Sequence, residues 1–157
     1  MTGEMADWLI FTIEGQRCAL SAGRVRQVMR PPPAARVPGA SPHCLGLVAW
    51  QGRLVTVVDA AAWLLQRLPQ ESSQERLVIW AHDGRVGGLR VESVVGLQRL
   101  PADAILPLQN ALPAPWNAVS GLLCLGEEMA AVFEPAALFA AGLGETPASA
   151  GVSGLSP

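Results

Sequence analysis

Few residues in this chain have the types and spacing that catalysis requires. His43 and Cys44 are adjacent and could form half of a metal site or a catalytic pair, but His82 lies far along the sequence and no ligand-spaced partners follow. Asp59 and Glu92 each follow an apolar run, yet neither has a neighbouring His, Lys or metal-ligand cluster. Hydrogen bonding at strand ends explains both acids better. We therefore predict no enzymatic activity, no cofactor and no metal.

The three cysteines are predicted to be packed side chains and not reactive or metal-binding groups. Cys18, Cys44 and Cys124 are widely spaced, odd in number and embedded in apolar runs. This pattern matches neither a disulfide framework nor a CxxC metal site. We expect small buried hydrophobic residues in a reducing compartment.

The composition describes a globular, turn-rich domain. Half of the 157 residues are hydrophobic, only 15% are charged, and the chain contains 16 Gly and 13 Pro. A chain of this length buries roughly 68 to 70 per cent of its unfolded surface, which is enough to stabilise one domain without disulfides or a structural metal. The net charge of -2 and the pI of about 5.6 argue against nucleic-acid binding.

No segment has the pattern of a secretory leader or a membrane span. Glu4 and Asp7 stand where a signal peptide needs positive charge, and the apolar run beside them is short. The uncharged segment 106–126 is interrupted by prolines and amides, which indicates a loop leading into a strand. We expect a cytoplasmic protein.

The hairpin from Leu45 to Asp59 is the segment that we predict to present a binding surface. Its two apolar runs are joined at Gln51-Gly52, and Val55 and Val57 alternate with their neighbours at the period of a half-buried strand. Gly52 is suited to the positive φ of a tight turn. Because the hairpin contains no nucleophile, metal ligand or phosphate cradle, we expect it to bind another protein.

Three further hairpins are predicted, with turns at Glu14-Gly15, at 82–85 and at 126–128. Short helices are expected over Ala22–Gln27, with Val25 and Val28 on one face, over Ala60–Leu68 and over Pro135–Ala141. Many short strands with brief helices indicate small barrels or a sandwich. Residues 1–141 are predicted to form one domain, followed by a disordered tail from Gly142 to Pro157.

Four segments in this order resemble the CheW-like chemotaxis coupling domain: FTIEGQRCALSAGRVRQVM, RVPGASPHCLGLVAWQGRLVTVVD, VGGLRVESVVGL and SGLLCLGEEMAAVFEPAALF. The resemblance covers roughly residues 8–140. Its most specific part, Pro38–Asp59, is similar to the family pattern Pro, Gly-Val, Asn-Leu-Arg-Gly, Pro-Val-hydrophobic-Asp. Leu89–Val94 resembles the later Leu-x-Val-Asp-x-Val element, with Glu92 at the position of the usual Asp.

The resemblance implies a mainly β fold of two small five-stranded, SH3-like barrels around a shared hydrophobic core. It further implies a non-enzymatic adaptor that holds the regulatory domain of a CheA-type histidine kinase against the cytoplasmic tip of a chemoreceptor. The receptor tip would dock between the barrels, and the kinase would use an exposed apolar face on one barrel. Other CheW-like proteins are further candidate partners, within rings of a receptor array.

The turn of the hairpin departs from the family. Where relatives commonly have Glu in the short helix and Arg in the turn, this chain has Gln27 and Gln51, and Ala49-Trp50 replaces Asn-Leu. Since losing only one charge would leave the other unpaired, we hypothesise that a usual ion pair has become a Gln27–Gln51 hydrogen bond. Trp50 either folds back onto the barrel or is an exposed anchor for a partner helix.

The candidate partner-binding residues are therefore Val25, Gln27, Val28, Leu47, Trp50, Gln51, Gly52 and Arg53. Three arginines near the short helix, Arg24, Arg26 and Arg30, form either a solvated surface or a contact for a partner's acidic residues. Two function classes remain beside the adaptor. One is a diverged scaffold or competitor that occupies the array without stimulating the kinase. The other, an enzyme, ranks low because no catalytic constellation is present.

Overall fold

Eleven β-strands and two short α-helices make up most of residues 4–140, the part of the chain described by the structure, which is a computed structural model. The strands are β1 Met5–Ile13, β2 Gln16–Ser21, β3 Val25–Met29, β4 Cys44–Trp50, β5 Arg53–Asp59, β6 Arg76–His82, β7 Arg85–Val91, β8 Ser93–Pro101, β9 Ile105–Pro107, β10 Val119–Leu125 and β11 Glu128–Phe133. The helices are α1 Ala60–Leu65 and α2 Pro135–Ala140. The predicted tail from residue 142 onward lies outside the described residues.

All four predicted hairpins are present. At Glu14-Gly15, Gln51-Gly52 and Asp83-Gly84 both turn residues have positive φ, between 47° and 76°, which is the type I′ geometry that matches the twist of the flanking strands. The fourth turn, between β10 and β11, has Gly126 at φ 74°. In the first three turns a glycine directly follows a polar residue, and this local pattern made those turns predictable from the sequence.

The strands form two curled sheets. Sheet A has the order β8-β1-β2-β11-β10-β9, and sheet B has the order β3-β6-β7-β5-β4. In sheet A the edge strands β8 and β9 are joined directly by a 3₁₀ turn of three residues, Ala102–Ala104, so the two edges must lie close together. The predicted count of five strands holds for sheet B, and the short β9 makes a sixth in sheet A.

Both faces of the central strands are buried, which accounts for their continuous apolar runs. Leu9 and Phe11 of sheet A and Val78 and Trp80 of sheet B belong to one core cluster shared by the two sheets. The alternate residues point into smaller clusters, one inside each sheet. Cys18 lies in the shared cluster, and its burial raises the pKa of the thiol to about 12, so it packs as a neutral apolar side chain.

The predicted helix over Ala22–Gln27 is wrong. Only Ala22–Arg24 forms a 3₁₀ turn, and Val25 to Met29 extend as strand β3 against β6. β-branched residues favour an extended backbone, and the edge of β6 supplies the hydrogen bonds that a short helix would have made internally. Val25 and Val28 therefore share no helix face: Val25 packs on the shared core, whereas Val28 is 37% exposed.

The helix predicted over Ala60–Leu68 is shorter than expected. Asp59 caps its first turn by accepting a hydrogen bond from the Ala62 N–H at 2.9 Å. Gln66 adopts the left-handed conformation that ends the helix, with φ 54° and ψ 53°. Trp63 is buried as predicted, but Leu68 lies beyond the helix and is 74% exposed.

Within residues 4–140, no helix is long and apolar enough to cross a membrane. Among the same residues, no group of three or more His, Cys, Asp or Glu side chains is arranged to hold a metal ion. Cys44 and Cys124 are half-buried, less enclosed than the sequence suggested.

Candidate functional site

The two edge strands of sheet B meet at a seam that is held by few contacts. Trp50 of β4 donates a hydrogen bond from its indole Nε1 to the Gln27 Oε1 of β3 at 2.7 Å. Further along β4, Leu47 exchanges two backbone hydrogen bonds with Ala35, at 2.8 and 2.9 Å. Within the described chain β3 and β4 share no backbone ladder, so these contacts close the sheet. We call this junction of β3, residues 30–36 and β4 the seam.

Trp50 combines the two roles that the sequence left open. Its side chain is half-buried and packs on the cluster inside sheet B, beside Met29 and Leu45. The ring is not fully buried, and Gln27, its hydrogen-bond partner, is exposed. Since the indole N–H is already bonded, the ring is held in one orientation and offers a rigid aromatic surface.

The hypothesis of a Gln27–Gln51 hydrogen bond is wrong. The Gln27 carboxamide oxygen accepts from Trp50, and Gln51 makes no side-chain hydrogen bond with any residue from 4 to 140. Gln51 occupies the first position of the type I′ turn with φ 47° and is exposed. Because of this turn geometry, Trp50, the residue before Gln51, is the one that bonds to β3.

Arg53 ties two turns together. Its guanidinium Nη2 donates to the carbonyl oxygen of Gly84 at 2.7 Å, which links the β4–β5 turn to the β6–β7 turn. On the second turn the Arg85 guanidinium lies 4.1 Å from the ring centroid of Phe139 in α2. Side-chain contacts thus join two hairpins and a helix at this end of sheet B.

A buried ion pair fixes the other end of β5. Arg90 Nε donates to Asp59 Oδ1 at 2.8 Å, and both residues are less than 10% exposed. Arg90 Nη2 also donates to the Gln70 carbonyl oxygen, which anchors the segment that follows α1. The interpretation of Asp59 and Glu92 as strand-end hydrogen-bond acceptors is confirmed, since Glu92 Oε1 accepts from the Gly15 N–H at 2.9 Å.

A second ion pair links the two sheets near the same end. Arg67, just after α1, donates to Glu14 Oε2 in the first hairpin turn at 2.9 Å. This hydrogen bond and the positive charge of Arg67 lower the pKa of Glu14, and the same hydrogen bond together with the negative charge of Glu14 raises the pKa of Arg67. Both side chains are substantially exposed, so the pair orients the turn more than it stabilises the fold.

An exposed apolar strip beside the shared core was missed by sequence reasoning. Leu97 of β8 lies opposite the buried Leu9 of β1, yet Leu97 is 71% exposed. Two steps further along the same face, Met5 lies opposite Pro101 and is 52% exposed, with the Asp7–Arg99 ion pair in between. The only sign of this strip in the sequence was the apolar run of β8. The sequence did not show which strand pairs with β8.

The predicted site residues fall into two groups. Val25, Gln27 and Val28 lie on β3, and Trp50 is brought to them by its hydrogen bond across 23 positions of sequence. Gln51, Gly52 and Arg53 form the adjoining turn. Leu47 is half-buried and lies opposite Thr56, on the face of β4 opposite to the one that carries Trp50. The structure therefore gathers all of these except Leu47 around one end of the seam.

Two curled β-sheets that share one core define a two-barrel protein, and its described surface carries an aromatic seam and an apolar strip. The CheW-like domain model matches residues 7–142, and the chain belongs to that family of scaffold and adaptor proteins. The resemblance inferred from the sequence is confirmed.

The relatives agree with this assignment. The protein PilI of Pseudomonas aeruginosa is 28% identical over 106 residues. The aligned part covers 65% of this chain and 60% of PilI, so this chain spans less than two thirds of that relative. The crystal structure of the scaffolding protein TtCheW from Thermoanaerobacter tengcongensis superposes with a TM-score of 0.76 at 17% identity, covering 83% of this chain and 90% of TtCheW. This superposition confirms the predicted mainly β, CheW-like fold.

Proposed function

We propose that this protein couples a chemoreceptor to a CheA-type histidine kinase in a chemosensory array, without catalytic activity of its own. The observation that supports this most directly is the apolar surface where the two sheets meet. Val25 of sheet B and Val94 of sheet A both pack on the rim of the shared core, and the strip of Leu97 and Met5 continues from it. A receptor's helical hairpin buries an apolar face in such a groove.

The domain that carries this function is proposed to extend over residues 1–141, because the two sheets bury one common core and neither cluster inside a single sheet is large. The partner-binding residues are proposed to be Val25, Gln27, Val28, Trp50, Gln51, Gly52 and Arg53 at the seam, with Leu47 on the outer face of the hairpin. The protein would act in the cytoplasm and reach the membrane through its receptor. Kinase contact is proposed on the outer face of sheet B, where Leu54 is 64% exposed and lies opposite Ala49.

Reconstitution tests the proposed function. Purified CheA-type kinase and a soluble receptor fragment, both encoded in the same genome, are mixed with and without this protein, and kinase autophosphorylation is measured. Coupling predicts that all three components together give a rate several-fold above kinase alone. Gln27 and Gln51 are neutral where the family commonly has Glu and Arg, and the scaffold alternative is therefore tested in the same assay. Receptor binding without a change in kinase rate would select that alternative, and binding to neither partner would refute both.

Trp50→Ala is expected to weaken binding of the receptor fragment by about 30-fold or more, because a truncated aromatic anchor typically costs about 2 kcal/mol. The free energy of unfolding should fall by only about 1–2 kcal/mol, since the ring is half-buried and contributes one hydrogen bond. Isothermal titration calorimetry and urea unfolding measure the two effects. Leu54→Ala, on the opposite face of the same hairpin, is the matched control and should leave receptor affinity unchanged. A folded Trp50→Ala variant with full affinity would remove Trp50 from the binding site.

A further inference from the structure

The charges of this chain are divided very unevenly along the sequence. Residues 15–58 contain six arginines and no Asp or Glu, so they carry a formal charge of +6. The whole chain has a net charge of -2, which leaves a charge of -8 for the remaining residues. A nearly neutral net charge therefore conceals a basic region, and this region supplies β2, β3, β4 and most of β5.

The basic region stays largely unneutralised in the folded protein. Arg17 forms an ion pair with Glu128 at 2.9 Å. Arg24 and Arg30, by contrast, are exposed and make no ion pair or hydrogen bond with any residue in 4–140. Arg26, also exposed, donates only to the carbonyl oxygen of Gly23. Arg24, Arg26 and Arg30 thus lie on β3 and on the residues flanking it, and Arg36, at the end of the seam segment, is exposed as well.

Arg26 lies on β3, the strand that carries Gln27 of the seam, and Arg24 and Arg30 flank that strand. Arg26 directly precedes Gln27, whose carboxamide is bonded to Trp50, and Val28 beside it is 37% exposed. The centre of the surface is therefore neutral and apolar, while its border is cationic. This is the usual arrangement of a protein interface, in which a packed anchor is surrounded by charges that steer association.

We propose that this surface, which we call the basic face (Arg24, Arg26, Arg30, Val28 and Trp50), binds an acidic helix. The inference rests on the proposed function and specifies the chemistry of the receptor segment: one side carries carboxylates and the adjoining side an apolar residue for Trp50. Arg24 ends the 3₁₀ turn, Arg26 lies on β3 and Arg30 follows that strand. The three charges are therefore spread along one segment and can pair with carboxylates on successive turns of a helix.

Anionic lipid is the competing class of partner for a cationic surface, and the structure favours protein. The basic face is built on strand β3 and the residues beside it. Its apolar element is a hydrogen-bonded Trp half-buried in the fold, and not an amphipathic helix that could enter a lipid surface. A planar guanidinium also suits bidentate contact with a carboxylate.

The test measures association and dissociation rates for the receptor fragment at several salt concentrations. The triple variant Arg24→Glu, Arg26→Glu, Arg30→Glu is expected to lower the association rate at least about tenfold while the dissociation rate changes less than about threefold. The triple Arg→Gln variant should be intermediate. Arg17→Glu, at a guanidinium that Glu128 already neutralises, is the matched control for a change of charge and should behave like the unaltered protein. The salt dependence of the association rate should be steep in the unaltered protein and nearly flat in the Glu variant.

The outcomes separate the two proposals. If the receptor fragment binds the unaltered protein but neither charge reversal nor salt changes the association rate, the basic face is refuted and the coupling function stands. If the unaltered protein binds no receptor fragment, both proposals fail. Binding to vesicles of equimolar phosphatidylglycerol and phosphatidylcholine is measured in parallel, to test anionic lipid as the partner. Arginine-dependent binding to these vesicles that equals or exceeds binding to the receptor fragment would assign the basic face to the membrane and overturn the inference.

Discussion

Asp59→Ala is expected to lower the free energy of unfolding by about 3 kcal/mol. The substitution removes the carboxylate that bonds the Arg90 guanidinium, whose side chain is 9% exposed, and leaves Glu75, 3.6 Å from Arg90 Nε, as the remaining acid. It also removes the cap of α1, because Asp59 Oδ2 accepts from the Ala62 N–H. The loss is large because the buried cation keeps only this longer contact with an acid and the interior cannot replace the lost hydration.

Double-mutant analysis separates these two contributions. Asp59→Asn keeps one carbonyl oxygen as acceptor and should cost less than Asp59→Ala. Arg90→Met alone should also destabilise, since it leaves the buried carboxylate with only its helix-cap contact. The double variant Asp59→Ala, Arg90→Met should lose less than the sum of the single variants, by about 0.5–3 kcal/mol. Urea unfolding measures each value, and strictly additive losses would show that the ion pair is not coupled.

Gly46→Ala is expected to destabilise the protein by about 3 kcal/mol or more, through two effects at one position. Gly46 has φ 131°, a backbone conformation that residues with a side chain rarely adopt. A Cβ at Gly46 would also overlap the carbonyl oxygen of Ala35 and lie 2.8 Å from its carbonyl carbon. Because Ala35 is bonded through its backbone to Leu47, the added methyl group would push residues 30–36 away from β4 and open the seam.

Gly96 offers a matched control for the effect of backbone conformation. It has φ 143°, yet a Cβ there would meet nothing within 4 Å. Gly96→Ala should therefore cost only the conformational strain, about 1–2 kcal/mol. The excess loss in Gly46→Ala measures the clash with Ala35. Equal losses in the two variants, together with unchanged hydrogen exchange at the Ala35 and Leu47 amides, would show that the close approach at the seam is unimportant.

The hairpins and their turns were predictable because their information is local. A polar residue followed by glycine at positions 51–52 and 83–84 requires only a tight turn, and the flanking apolar runs require only a period of two. The acid at the end of β5 was predicted to form strand-end hydrogen bonds and the residues after it to form a helix, and both patterns are local. The family could be inferred because several such local patterns follow one another in a specific order.

The helix predicted over Ala22–Gln27 shows where local information is insufficient. The spacing of Val25 and Val28 fits a helix, but β6 offers a strand edge that lies more than 50 residues away in sequence. Pairing with that edge satisfies the backbone groups of β3, and the packing of Val25 on the shared core adds further stability. Tertiary context therefore overrides the local preference of a short segment.

By itself, the sequence determined the β-rich class, the four hairpins, the helix after β5 and the concentration of arginine in residues 15–58, since each depends on neighbouring residues or on composition. Only the tertiary structure decided that Gln27 bonds to Trp50 and not to Gln51, and that Leu97 remains exposed beside the core. These features depend on which strands become neighbours. That choice is made by the burial of side chains from distant parts of the chain in one shared core, which no local pattern specifies.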